Sequence, residues 1–186
     1  MRSELDQELM REVQRGDLAA FEQIVERHHA TVYGLAFSML RSREDAEETT
    51  QDTFVKLFRA RDSFDLSRRL EPWLLRIAGN TCRDQLRRRK VERRVVATEA
   101  DQLAHLLVDD SAPVAERREA TRQAVRLEVD RLSDRLRMPL VLRYVEGLNN
   151  QQIADALGIS VSNVKVRMAR AKDLLQGRLE KLKEGA

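Results

Sequence analysis

The stretch Asn149 to Leu175, NNQQIADALGISVSNVKVRMARAKDLL, constrains the chain more than any other. It sets a small residue, Ala154, where two crossing helices would touch, and then Gly158, where the chain must turn with positive φ. Val164 then packs the second helix back onto the first. That second helix mixes Val161, Val164, Met168, Ala171 and Leu175 with Lys165, Arg167, Arg170 and Lys172. One face is core and the other is basic. A recognition helix in a major groove requires this division, because phosphate-seeking cations must flank a few side chains that reach base edges. An ordinary helical hairpin with a solvated basic face is the alternative reading.

Composition narrows the class. The chain has 186 residues, of which 35% are charged and only 4% aromatic, a balance that suits helices with long charged faces rather than a single large core. The formal net charge is only +3 although there are 34 Lys and Arg, so what matters is how the 31 acids are sorted from the bases. One cysteine, Cys82, permits no internal disulfide, and no apolar run approaches the ~20 residues of a membrane span. The amino terminus, MRSELDQELMREVQ, has no apolar signal core, so a soluble cytoplasmic protein without membrane insertion is expected.

Helical period recurs along the chain. Gly16 and Asp17 end one short helix and cap the next, in which Phe21, Ile24, Val25, Val32, Leu35 and Met39 recur at helical steps. Ser42 and Asp45 have capping-box spacing before a helix with Ala46, Thr50, Phe54, Leu57 and Phe58 on its apolar side and acids on the other. After a polar break from Asp62 to Arg69, Pro72 and Trp73 open a third helix through Leu74, Ile77, Ala78 and Leu86, followed by the basic run Arg87 to Arg94. From Val95 to Thr121 the period fades into a run rich in Ala, Asp, Glu and Thr, read as a linker. Pattern resumes as one helix through Val125, Leu132, Leu136, Leu140, Val141 and Tyr144, ended by Glu146 and Gly147. Pro139 within it implies either a helix start nearby or a kink. No segment alternates with period two, so no sheet is expected.

The fold class is therefore all-α: two small helical domains, residues 1–94 and 123–186, joined by a flexible linker over 95–122. The first domain carries Glu44, Asp45, Glu47, Glu48 and Asp52 on one helix and Arg76, Arg83, Arg87, Arg88, Arg89 and Lys90 on another. A protein that only binds DNA has no need of the acidic face. Helical spacing puts Glu44, Glu48 and Asp52 on one stripe with Asp45, Glu47 and the polar Gln51 beside it, a surface suited to a basic protein partner, or one that is merely solvated.

These segments resemble, almost end to end, the extracytoplasmic-function (group IV) sigma factors of bacterial RNA polymerase, in the sigma-70 family. The first domain matches in FEQIVERHHATVYGLA, DAEETTQDTFVKLFRA and EPWLLRIAGNTCRDQLRRR, and the second in LSDRLRMPLVLRYVEGL and QQIADALGISVSNVKVRMARAKDLL. The resemblance implies a sigma-2-like domain that docks on core polymerase and reads the minus-ten element, and a sigma-4-like helix-turn-helix domain that reads the minus-thirty-five element. It implies that Asp45, Glu48, Gln51 and Asp52 meet the clamp helices of the polymerase β′ subunit, and that the second domain meets the β flap. It further implies that Asn80, with Arg76, Arg83, Arg87 and the loop Phe64 to Leu70 including Asp65, reads the minus-ten element and holds a flipped base. Ser162, Asn163, Lys165, Val166, Arg167 and Arg170 fall on the minus-thirty-five contact positions. Val166 and Asn163 depart from the small polar residue and the Thr common there, so a thymine methyl is the contact expected of Val166. The linker acids Glu99, Asp101, Asp109 and Asp110 would stand in for nucleic acid in the polymerase cleft, or serve solubility alone.

Other constellations carry less. His28 and His29 point about 100° apart on a helix, and no motif joins them to His105 or Cys82 as a metal site. No phosphate-binding glycine loop, nucleophile elbow or metalloprotease motif is present, so neither an enzyme nor a cofactor is expected. A regulator that binds duplex DNA alone is the competing reading, and an enzyme acting on nucleic acid a third. Promoter DNA, core polymerase and an anti-sigma factor are the partners the resemblance implies.

Overall fold

The computed structural model of the chain describes residues 2–96 and 123–184, with side chains over residues 3–89 and 123–180. The expected linker acids and His105 lie outside the described residues. Among the described residues every regular element is helical: α1 (Arg2–Gln14), α2 (Leu18–Leu40), α3 (Arg43–Ala60), a 3-10 turn (Arg61–Ser63), α4 (Leu70–Val96), α5 (residues 123–130), α6 (Asp134–Tyr144), α7 (Asn150–Leu157) and α8 (Val161–Glu184). None is long and apolar enough to cross a membrane.

Local chemistry sets the boundaries. The Asp17 carboxylate accepts from the amides of Ala19 and Ala20 at 2.8 and 3.1 Å and so caps α2. Its far end is closed by Arg41 in the left-handed region, φ 56°, whose amide donates to the Phe37 carbonyl at 2.9 Å. Ser42 then caps α3 by accepting from the Asp45 amide at 3.2 Å. On the buried face of α3, the Thr50 and Thr53 hydroxyls donate to the Ala46 and Thr49 carbonyls at 2.6 and 2.7 Å. These bonds let a threonine-rich stripe enter the core without orphaned polar atoms.

Helix α4 runs on to Val96, so the basic run is part of the helix rather than a sequel to it, and the expected boundary at 94 falls within its last turn. In the second half, the single helix expected through Val125 and Tyr144 is two. The chain breaks after α5, and Ser133, in extended conformation, begins α6. Serine and aspartate at 133 and 134 are good helix starters, and the periodic Leu132 and Leu136 on either side concealed them. Pro139 thus lies early in α6, which favours the nearby start. Its missing donor leaves only the carbonyl of Arg135 without the usual bond.

The expectation against a single large core is corrected by the packing. One buried cluster joins Ile24, Leu35, Leu57, Leu74 and Ala78 of the first four helices to Met138, Leu142, Ile153, Ala154 and Val164 of the second half. α4 packs against α7 and α2 against α6. Gly79 permits a close approach of α4 to α6, since a Cβ there would stand 3.6 Å from the Met138 Cε. Across the same boundary Arg41 Nε donates to Asp130 at 3.0 Å. The second half keeps a small core of its own, Leu132, Leu140 and Ala171 with Leu136, Met168 and Leu175 around them. More of the second half's buried apolar residues belong to the shared cluster than to its own.

Candidate nucleic-acid and protein-binding surfaces

The helix-turn-helix is held by local bonds at each corner. Asn149 and Gln152 form a reciprocal capping box, each side chain meeting the other's amide at 2.9 Å. Gly158 ends α7 at φ 63°, where its own amide and that of Ile159 return to the Ala154 carbonyl. The Ser160 hydroxyl then accepts from the Asn163 amide at 3.2 Å and starts α8, while Val164 is fully buried.

Of the expected upstream-reading residues, Ser162, Lys165, Val166 and Arg170 point outward. Val166 is 65% exposed, an apolar side chain standing among the outward polar and basic residues of α8. Asn163 and Arg167 behave differently. The Arg167 Nε donates to Asn163 Oδ1 at 2.9 Å, and the guanidinium turns toward the first domain. Burial, and then Arg135 and Arg83 nearby, hold its pKa below the ordinary arginine range.

The expected downstream-reading residues lie along α4 and the loop before it. Asn80 is exposed, and its carbonyl oxygen accepts from Arg83. Arg87 is exposed farther along, and Arg76 lies beside Gly158, so part of this row faces the second domain. Asp65 folds the loop, accepting from the Ser67 hydroxyl at 2.7 Å and its amide at 2.9 Å. Those two bonds hold its carboxyl below the usual range. Phe64 departs from the expected role. It is only 5% exposed, its ring 4.9 Å from that of Trp73, and its carbonyl accepts from Gln14. The ring anchors the loop and has no open surface to offer a base in this arrangement.

The acidic face of α3 is exposed at Glu44, Glu47, Glu48, Gln51 and Asp52. Asp45 is not part of it in the same sense, because its carboxylate is paired with Arg89 and accepts from Gln85 at 3.1 Å on α4. It joins two helices. Val55, 46% exposed at the end of the acidic stripe, was missed by reading the charges alone. An apolar residue beside acids was the available signal.

Elsewhere the described residues weighed as metal ligands, His28 and Cys82, find structural places. His28 is buried, with Nε2 3.2 Å from the buried carboxylate of Asp6, which also accepts from Arg27 at 2.9 Å. Cys82 is fully buried, and burial pushes its thiol up to about 12, away from reactive thiolate. Among the described residues no group of His, Cys, Asp and Glu could hold a metal.

The arrangement coincides with known proteins. Sigma-70 region 2 matches residues 24–92, and sigma-70 region 4 matches residues 122–175. The chain is 32% identical over 185 residues to the RNA polymerase sigma-H factor of Pseudomonas aeruginosa, covering 96% of each. It belongs to the extracytoplasmic-function group of the sigma-70 family. The same group's sigma-E factor of Escherichia coli is 33% identical over 183 residues, covering 95% of each chain. The factor SigW of Bacillus subtilis is 29% identical over 179 residues, covering 93% of this chain and 96% of the relative. Among solved structures, CnrH in complex with the cytosolic domain of CnrY superposes with a TM-score of 0.68 at 28% identity, covering 95% of this chain and 98% of the other. The chain is thus a sigma factor for promoter-specific transcription initiation.

Proposed function

We propose that this sigma factor binds core RNA polymerase in the cytoplasm through the exposed acidic face of α3, with Glu48, Gln51 and Asp52 meeting the β′ clamp helices and Val55 seated beside them. The second domain would meet the β flap. Asp45 contributes by holding α3 against α4 through Arg89, so that the acidic side chains are presented at a fixed angle. The chain supplies specificity rather than chemistry, and is not itself an enzyme.

Promoter reading is divided between two helices. α8 lays Ser162, Lys165, Val166 and Arg170 in the major groove at the minus-thirty-five element, and α4 with the loop Asp65 to Leu70 reads the minus-ten element and holds a base taken from the stack by Asn80. The observation that carries this reading is that one chain presents an outward basic helix on α8 and, separately, an exposed acidic face on α3. Arg76, beside Gly158, and Arg167, on the wall of a cleft shared by α4, α6 and α8, sit at the boundary between the domains.

An anti-sigma factor is the inhibitory partner proposed for this chain; the similar CnrH is seen in complex with the cytosolic domain of CnrY. A groove of about 970 Å³ between α2 and the helices α5, α6 and α8 offers it a seat. Phe37, Tyr144 and Val145 leave apolar surface open there, with Arg41, Arg126 and Lys172 at the rim. An amphipathic helix with acidic flanks fits that chemistry.

Reconstitution tests the whole reading. Purified chain added to core polymerase should give run-off transcripts from its own promoters and none from core alone. Tight, sequence-specific duplex binding by the isolated chain, with no association to core polymerase, would establish the regulator reading instead.

A further inference from the structure

The boundary between the two domains brings together cations from three helices. A cleft of about 430 Å³ is lined by Arg83 and Arg87 of α4, Arg135 of α6 and Arg167 of α8, with Met138, Leu157 and Ile159 as apolar floor. Asp134 is the one acid on its wall, and that carboxylate is already engaged by Arg137 at 3.0 Å. The volume lies within the range of small-molecule pockets, roughly 300 to 1,000 Å³.

Like charges so placed repel, and the repulsion has a local trace. Arg167 has a lowered pKa not only through burial but through Arg135 and Arg83. Among the described residues, the Arg167 guanidinium hydrogen-bonds the neutral Asn163 carbonyl rather than the Asp134 carboxylate, which Arg137 holds. A second feature points the same way. Ser133 begins α6 with no side-chain cap bond, and the first backbone bonds of the helix come from the amides of Leu136 and Arg137 to the Ser133 carbonyl. Ser133, Asp134 and Arg135, which line the cleft, form the start and thus the positive end of this eleven-residue helix.

We propose that this interdomain cleft binds a small ligand carrying two adjacent phosphates, gripped by Arg83, Arg87, Arg135, Arg167 and the amino end of α6. Guanidinium forks suit phosphate oxygens, and adjacent phosphates present enough of them to engage helices from both domains at once. Met138, Leu157 and Ile159 leave room for an apolar face beyond the phosphates, such as a nucleobase. A bound ligand ties α4 to α6 and α8, and it occupies Arg83, Arg87 and Arg167, which the promoter reading also uses. Ligand and promoter DNA are then mutually exclusive, and a metabolite of this class would lower the fraction of chain free to join polymerase.

Arg135 isolates the proposal from the promoter reading, because no DNA contact is assigned to it. The test is isothermal titration of the full chain with inorganic pyrophosphate and, separately, with ADP, at ionic strength held constant with sodium chloride. Saturable one-to-one binding is expected, weakened about tenfold in Arg135→Ala and largely retained in Arg135→Lys, since a single charge-assisted contact to phosphate is at stake. ADP binding more tightly than pyrophosphate would assign the floor to a base, and equal binding would assign the site to the diphosphate alone. Run-off transcription by Arg135→Ala with saturating core should equal the parent's. The proposal is overturned if neither probe gives more heat than matched chloride, or if Arg135→Ala binds as the parent does while circular dichroism shows the same fold.

Discussion

The carboxylate of Glu146, just past α6, lies against Gly34 of α2, so close that a Cβ on that glycine would stand 3.4 Å from its oxygen. The contact crosses the boundary between the two sigma regions. It is also poorly suited to charge: burial first, and then Glu71 nearby, push the Glu146 carboxyl up to about 7. Bringing an acid into such a place works only while it keeps its proton.

A pH dependence follows. Because the folded pKa is raised above the unfolded value of 4.5, the penalty is absent at pH below that value, grows as pH rises, and is complete above about 7. Stability should therefore fall between those limits. Discounted for partial contact with water, the effect is about 1 kcal/mol. Thermal melts of the parent and Glu146→Gln from pH 5 to 8.5 measure it by difference. The variant should melt higher than the parent at pH 8, and the two should converge at pH 5. A constant gap across the range would mean that Glu146 does not titrate there.

Asp45 and Glu48 should part company when each is replaced. Asp45→Ala removes the partner of Arg89 and Gln85 between α3 and α4, and should cost about 1 to 2 kcal/mol of stability, seen as a lower thermal midpoint. Glu48→Lys with Asp52→Lys, on the exposed side, should leave the melt nearly unchanged yet abolish co-elution with core polymerase. A double variant that still competes for core as the parent does would reduce the acidic face to a solvated surface.

The packed arrangement can be loosened at Gly79. Alanine would meet the Met138 methyl at ordinary contact distance, but leucine must drive it away, while the α4 helix itself gains roughly 1 kcal/mol in propensity from losing glycine. Gly79→Leu should thus open the boundary without melting α4. Small-angle scattering should show a larger radius of gyration than the parent's with helical circular dichroism retained. An unchanged radius would show that α4 and α6 accommodate the side chain without parting.

What could be read in advance was what short stretches decide for themselves. Ala154, Gly158 and Val164 act within about three turns of chain, so spacing alone placed the helix-turn-helix. The break at Ser133 was hidden because Leu132 and Leu136 keep helical step across it while belonging to different helices. Arg41 in the left-handed region could not be foreseen from a residue type that rarely goes there. The same holds for the pairing of Asp45 with Arg89 and for the burial of Phe64 and Met138. Each depends on a partner far away in sequence, and an isolated helix face gives no sign of which charged or apolar residue will meet one. The residues expected to bind polymerase and DNA were legible as charge stripes, but which members of a stripe stay exposed was a matter of tertiary packing.

The two reading helices should fail in different ways. Arg170 is exposed on the outward face of α8, so Arg170→Ala should weaken use of promoters through the upstream element, by about 1 to 3 kcal/mol if its contact is to a base edge. Val166→Ala should have a smaller effect, confined to promoters with a thymine opposite it, because only a methyl contact is lost. Asn80 acts at another step. Its carbonyl oxygen accepts from Arg83 one turn along the same helix, so the two groups share one face of α4. If Asn80 holds an extruded base, Asn80→Ala should leave upstream binding intact but slow strand opening and relax preference at a single downstream position. Permanganate footprinting and run-off transcription over single-base promoter variants distinguish the two defects. An Asn80→Ala protein that opens every variant in the parent's order would pass the reading role to the loop that Asp65 folds and Phe64 anchors.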